Sequence, residues 1–241
     1  MATVCDHYKT LLSDIYIWMM GGFENTIKRN SDFFTRLEIL PARSGIAVDL
    51  GAGCGFQSIP LAKTGFSVIA IDTDNGLLQE LNRNKNTLPI KTVNDDLYKF
   101  DQYINSKAEL IVCMTDTILH LESCERVETL LKKIADNLEP EGKFILSFRD
   151  LSHALTECDR FIPVKSDENT IMTCFLEYET ETVKVHDLVY RKNGGTWDFH
   201  KSFYRKLRLS NTWFEQKLTS AGFRNVNLQL ENGMTVIVAV K

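Results

Sequence analysis

The residues Asp49, Gly51, Gly53, Gly55 and Phe56 stand together in the stretch AVDLGAGCGFQSIPLA, which runs from Ala47 to Ala62. An apolar run ends on an acid, a glycine-rich loop follows, and a helical pattern begins. Closely spaced glycines let a backbone turn sharply and approach a ligand. A dinucleotide-binding loop uses G-x-G-x-x-G and sets the pyrophosphate at the helix N-terminus. The spacing here is G-x-G-x-G, and bulky Phe56 holds the position of the third dinucleotide glycine. No Gly-Lys-Ser/Thr follows, so the loop is not a P-loop.

Asp49 lies one residue before the loop and would repel a pyrophosphate at close range. It suits a ligand that is cationic and phosphate-free. S-adenosylmethionine has that character, with a sulfonium, an ammonium and a ribose diol. Asp72, in IAIDTD, lies 21 positions after Gly51. An acid there can accept both ribose hydroxyls. It would serve a dinucleotide equally. In Asp95-Asp96-Leu97 a carboxylate can accept from an adenine amino group while Leu97 covers the ring.

These residues need a sheet to carry them. Short apolar strands are expected at Ala47–Leu50, Ser67–Ile71, Ile90–Asn94, Glu109–Met114 and Lys143–Phe148. Helical patterns fall between them at Phe56–Lys63, Asn75–Asn82 and Glu122–Asn137. Strands this apolar with helices between them form a parallel sheet covered on both faces. Residues 1–44 read as a helical cap, with one helix before Gly21-Gly22 and a second starting near Ser31. Residues 150–209 read as an antiparallel β insertion with a hairpin at Asn193-Gly194-Gly195, either a lid or an extension of the main sheet. Residues 210–241 return to the core: Thr212-x-x-Glu215 reads as a capping box, and Asn232-Gly233 as a hairpin turn. A two-residue turn joins antiparallel neighbours, so the last strand runs against the one before it.

The segments VDLGAGCG, IAIDTD, NDDLYKF, ELIVCMTDTILHL and LEPEGKFILSF, in this order, resemble the class I S-adenosylmethionine-dependent methyltransferases. The resemblance covers residues 46–149 closely. It implies an α/β fold, a seven-stranded doubly wound Rossmann-like sheet with an antiparallel last strand, which the Asn-Gly turn requires independently. It also implies cofactor roles for Asp49, Gly51, Gly53, Asp72 and Asp96, and Ala52, Thr73, Leu97 and Met114 join the expected set. The opening YIWMMGGF is similar to segments that close over the cofactor, which implies Tyr16 and Trp18 near its methionine end. The alternative for Trp18 is a core-facing residue of an amphipathic helix.

Methyl transfer from a sulfonium is an in-line displacement, so the protein mainly positions the partners. A base is needed only when the acceptor has a proton to lose. Ligands of open α/β sheets bind beyond the carboxyl ends of the strands. That points to Asp116 and His120 after the fourth strand as catalytic candidates, and to Arg149 after the fifth as a holder of an acceptor carboxylate. A local pair of Arg149 with Asp150 is the competing reading. His186, Arg191, His200 and Tyr204 in the insertion are candidate substrate contacts, although charged strand residues mostly form a solvated face.

Composition narrows the partners. With 28 Lys+Arg against 32 Asp+Glu the net charge is −4, which argues against a nucleic-acid substrate. The six cysteines show no C-x-x-C and no zinc spacing, so free thiols and no metal are expected. No signal-like segment and no membrane-length apolar run occurs, so a cytoplasmic protein without membrane contact is expected. Met114-Thr115-Asp116-Thr117 stands where methylases of adenine and glutamine amides resemble one another in an Asn/Asp-Pro-Pro-aromatic run, which leaves a small-molecule acceptor. Two other readings stay open: a nicotinamide-dependent Rossmann oxidoreductase, and a non-catalytic module that binds S-adenosylmethionine.

Overall fold

A computed structural model describes residues 3–241. The chain opens with α1 (Val4–His7), whose Thr3 and Asp6 form a reciprocal capping box. A π-helical turn (Tyr8–Leu12), a 3₁₀ turn (Ser13–Ile15) and α2 (Tyr16–Met19) continue it. Gly21 and Gly22 then take φ of +98° and +95° and break the segment. The next helix, α3, spans Phe23–Arg36 and so begins well before Ser31. Its first turns are mostly polar, which hid them from a hydrophobic pattern. They are fixed by Thr26, whose buried hydroxyl donates to the carbonyls of Met20 and Gly22.

The core alternates as expected. It runs β1 (Ile46–Leu50), α4 (Ser58–Lys63), β2 (Ser67–Asp72), α5 (Asn75–Asn84), β3 (Ile90–Asn94), β4 (Ala108–Cys113), α6 (Cys124–Asn137) and β5 (Leu138–Phe148). Asp74 caps α5 by accepting from the Leu77 amide at 2.9 Å. β5 begins at Leu138 rather than Lys143. The Pro140–Gly142 turn survives inside it as a break in register, from Ala108 opposite Leu138 to Leu110 opposite Lys143.

Four strands follow: β6 (Phe161–Ser166), β7 (Thr170–Tyr178), β8 (Thr182–Asn193) and β9 (Thr196–Leu207). They form an antiparallel sheet of their own, in the order β6-β7-β8-β9. β6 was not legible in the sequence, because Pro163 interrupts its short run. The second sheet does not extend the main one. Met172, Leu176, Val183, Val185 and Val189 bury one face of it in the same core as Leu11, Leu12 and Ile118, so it lies over the N-terminal segment and the turn after β4. The chain ends with α7 (Asn211–Ser220), β10 (Arg224–Glu231) and β11 (Met234–Val240). Ser210, not Thr212, caps α7 by accepting from the Trp213 amide at 3.1 Å. β11 runs antiparallel to both β10 and β5, completing a seven-stranded sheet in the order β10-β11-β5-β4-β1-β2-β3.

The glycine loop joins β1 to α4. The close approach of helix and loop that a third dinucleotide glycine provides is made here by Gly55, at φ +88°, where an added Cβ would lie 2.2 Å from Leu81 Cδ1. Gly55→Ala is therefore expected to cost about 1–3 kcal/mol through overpacking and strain. A urea unfolding midpoint measures it, and an unchanged midpoint would contradict this packing. No helix among the described residues is long and apolar enough to cross a membrane.

Candidate functional site

A cavity of about 560 Å³ opens at the carboxyl ends of β1–β4, roofed by the N-terminal segment and by β9. Its floor is the glycine loop. The Gly51 and Ala52 amides donate to the Ile71 carbonyl at 2.9 and 3.0 Å, which fastens the loop to the end of β2. Gly51 has φ +76°, and an added Cβ would sit 2.3 Å from Thr117 Cγ2. Asp72 organises the same corner. Its Oδ2 accepts from the Gly53 amide at 2.7 Å and its Oδ1 from the Asp74 amide at 2.8 Å. Burial still raises the Asp72 pKa, against these two amide bonds. Thr73, Asp74, Leu77, Asp96 and Leu97 continue this wall.

The residues alone left Asp95 and Asp96 open, and the resemblance implies Asp96. Asp95 is occupied by Lys99 at 2.8 Å and the Tyr103 hydroxyl at 2.5 Å, while Asp96 lines the cavity. Asp96 also caps the following turn by accepting from the Tyr98 amide. Asp49, by contrast, lies beneath the loop and away from the cavity wall. Its Oδ2 accepts from the Ser58 hydroxyl at 2.6 Å, and its Oδ1 is buried without a partner among the described residues. Burial pushes its carboxyl up to about 7, only partly opposed by Ser58. An elevated folded pKa costs stability as pH rises from the ordinary carboxylate range through 7. The stability gap between Asp49→Asn and wild type should therefore shift in favour of the variant by roughly 1–3 kcal/mol from pH 4 to pH 8. Calorimetric unfolding across that range reads it; a constant gap would contradict the buried carboxyl.

At the other end of the cavity stand Tyr8, Tyr16, His120, Glu122 and Lys206. Tyr16 stacks on Phe56 with centroids 6.0 Å apart, which gives the bulky residue after the loop its role. Burial raises both phenols well above their usual range, so they stay neutral. Burial, assisted by the Lys206 charge, lowers His120 to about 3, so the imidazole is neutral too. Its Nδ1 is buried without a partner among the described residues.

Asp116 does not face the cavity. It sits at φ +68°, next to Thr115 at +60°, and the pair is pinned to β5 by Ser147. Its buried carboxylate accepts from Lys206 Nζ at 2.7 Å, from the Arg149 amide at 2.7 Å and from the Arg149 guanidinium. Burial alone would raise its pKa, but the Lys206 and Arg149 charges outweigh that and hold it far below the usual range. It anchors β4, β5 and β9 to one another and is too weak a base to take a proton. Arg149 is spent on this anchor rather than on Asp150, which accepts from Ser152 and the Asn211 amide.

The other expected contacts sort by element. Trp18 faces the second sheet, where its Nε1 donates to Asp167 and Lys165 covers its ring. Ala52 and Met114 are buried outside the cavity lining. Tyr204 is buried between His7 and His120, with centroids 4.5 and 5.2 Å away. His186 lies on the outer face of the second sheet, bonded to Glu177 at 3.0 Å, and His200 is exposed on β9. Alternation turns His186 away from the cavity, whereas His200 shares the face of Tyr204 and Lys206 but lies nearer the β8–β9 turn, opposite Val189 and beyond the cavity lining. Sequence reasoning missed Lys206, Tyr8 and Thr117, and also the buried pair of His7 Nε2 with Asp187 Oδ2, 2.8 Å apart, that ties α1 to β8. Lys206 carried a usable signal: it alternates with Tyr204 on the apolar side of β9.

Residues 47–142 match the family model described as a methyltransferase domain. A glycine/sarcosine N-methyltransferase of Halorhodospira halochloris is 25% identical over 174 residues, covering 66% of this chain and 65% of that protein, just short of two thirds of its length. Among solved structures, an S-adenosylmethionine-dependent methyltransferase from Clostridium acetobutylicum ATCC 824 superposes with TM-score 0.73 at 14% identity, covering 98% of each chain. CalS10, an amino pentose methyltransferase from Micromonospora echinaspora solved with S-adenosylmethionine bound, superposes with TM-score 0.72 at 11% identity, covering 94% of this chain and 95% of that one.

Proposed function

We propose that this chain, of which residues 47–142 match a methyltransferase domain, is a class I S-adenosylmethionine-dependent methyltransferase that moves a methyl group to an amine nitrogen of a small molecule. One observation carries the reading. The cavity joins an acidic wall built on Asp72, Asp74 and Asp96 to an end where His120, Tyr8 and Tyr16 are neutral and stand beside the charged Glu122, Arg205 and Lys206. The volume, about 560 Å³, lies within the range of roughly 300–1,000 Å³ for small-molecule sites.

The residues fit the cofactor. The left-handed Gly51 and Gly53 present bare backbone, the Asp72 carboxylate stands where a ribose diol would meet it, and Asp96 with Leu97 fits an adenine edge and face. When bound, the cofactor supplies an electrophilic methyl on a positively charged sulfur. The remaining work is positioning. An amine attacks only through its free lone pair. Burial disfavours an ammonium there, and the Lys206 charge acts in the same direction on His120, with Asp116 opposing it. Tyr8 and Tyr16 make no hydroxyl hydrogen bond to a described residue, so both are available to orient a neutral amine. His120 accepts a hydrogen bond rather than a full proton, and we assign it a positioning role. The glycine/sarcosine N-methyltransferase relative supports a small amine as acceptor, and six free cysteines fit a reducing, cytoplasmic setting.

Incubation with methyl-labelled S-adenosylmethionine and a panel of glycine, sarcosine and other primary and secondary amines is expected to yield labelled N-methyl products. Transfer to hydroxyl or carboxyl acceptors alone would overturn the reading, as would calorimetric binding of NADH in place of S-adenosylhomocysteine. The rate should rise with pH along the ionisation of the substrate amine. Since His120 is already neutral, His120→Gln should lower kcat about 10-fold or more without moving that pH profile. A wild-type arm near pH 6 to 7 that vanished in the variant would make His120 a base instead.

A further inference from the structure

One side of the second sheet remains uncovered. Six of the nine large hydrophobic side chains exposed among the described residues lie on its strands: Phe161, Ile162, Ile171, Tyr190, Trp197 and Phe199. Register and alternation bring most of them to the face opposite the buried one. Phe161, Phe175, His186 and Phe203 form a continuous cross-strand row, with successive centroids 4.7, 5.6 and 5.3 Å apart. Ile171, Tyr190 and Phe199 form a second row, with Tyr190 stacked on Phe199 at 4.6 Å. Trp197 lies two residues beyond Phe199 on the same face. A strand pattern that is apolar on both faces is that of a sheet covered on both sides, and apolar patches of this extent mark interaction surfaces.

Charge at the rim selects the occupant. Glu157 and Asp159 stand exposed in the turn that leads into β6, and neither has an ion pair among the described residues. That turn sits against this face, since Arg160 lies over Phe175 at 4.9 Å. Lys192 and Lys201 stand exposed at the diagonally opposite corner, near the β8–β9 turn, also without ion pairs. A two-fold axis lying in the face and crossing that diagonal puts the acids of one copy on the lysines of the other at both corners. An anionic membrane would match only the lysine corner, whereas a second copy matches both corners.

We propose that this face is where a second copy of the chain docks, sheet on sheet, with the two aromatic rows interleaved. Four strands about 4.8 Å apart and six residues rising about 3.3 Å each give a face of roughly 400 Å² before the rim. Counted over both copies that is about 800 Å² before the rim, below the roughly 1,200 Å² where standard specific interfaces begin, so the proposed dimer is a weak, concentration-dependent one with a Kd on the order of micromolar. The proposal is independent of the methyl-transfer reading.

Sedimentation velocity tests it on the intact chain. Wild type at about 100 μM, far above a micromolar Kd, should sediment as a dimer, and Tyr190→Glu/Phe199→Glu as a monomer with an unchanged far-ultraviolet circular dichroism spectrum. Lys192→Glu/Lys201→Glu and Glu157→Lys/Asp159→Lys should each be monomeric alone and form a dimer when mixed, because mixing restores opposite charges at both corners. A monomeric wild type overturns the proposal, and so does a dimer that survives the Tyr190/Phe199 variant. Flotation of a monomeric wild type with phosphatidylcholine–phosphatidylserine vesicles, lost in that variant, also overturns it and assigns the face to a lipid surface.

Discussion

Asp72→Ala is expected to weaken binding of S-adenosylhomocysteine by about 30- to 1,000-fold, or roughly 2–4 kcal/mol. Two losses combine. A carboxylate facing a ribose diol offers two charge-assisted hydrogen bonds, and its removal leaves the hydroxyls unpaired in a part-buried corner. The same side chain also holds the floor, since the Gly53 and Asp74 amides both donate to it. Isothermal titration calorimetry separates the two losses when Asp72→Asn is included. The amide still offers an acceptor, so a smaller loss for Asn than for Ala is expected. Binding within twofold of wild type in both variants would remove Asp72 from the cofactor site.

Asp116→Asn is expected to destabilise the fold by about 3–5 kcal/mol, the range for breaking a buried ion pair from one side. The variant leaves Lys206 Nζ, 2.7 Å away, as a buried cation without its countercharge. Urea unfolding of Asp116→Asn, Lys206→Met and the double variant forms the measuring cycle. The double variant should be clearly more stable than the sum of the two losses implies. The sign with pH follows from the depressed pKa. Below the ordinary carboxylate range the unfolded chain takes up a proton that folded Asp116 refuses, so wild type loses stability on acidification there. Asp116→Asn lacks that component and should show a shallower acid limb. Additive losses with an unchanged acid limb would mean the triad contributes nothing beyond its parts.

The anchor explains why two of the expected site residues were misassigned in role though well placed in space. Asp116 and Arg149 do lie at the ends of β4 and β5, where open α/β sheets bind ligands. Their side chains turn to each other and to Lys206, a residue 90 positions away, in a different sheet. Spacing along the chain carries no trace of that partner. His186 and His200 show the complementary error. Each is on a strand as expected, but His186 points to the uncovered face, and His200, on the face that Val189 and Tyr204 bury, lies at the end of β9 that the core does not reach.

The sequence by itself determined the main sheet, its parallel core, the reversal of the last strand at Asn232-Gly233, and the glycine loop with Asp72 at the next strand's end. These depend on local physics: hydrophobic period, left-handed glycines, and turns that admit one strand direction. Only the tertiary structure decided that Asp49 lies under the loop, that Asp96 and not Asp95 reaches the cavity, and that His120 is a neutral group beside Lys206. Those outcomes turn on burial and on charges brought together from distant segments. Desolvation and pairing are properties of the packed molecule, and no run of neighbouring residues encodes them.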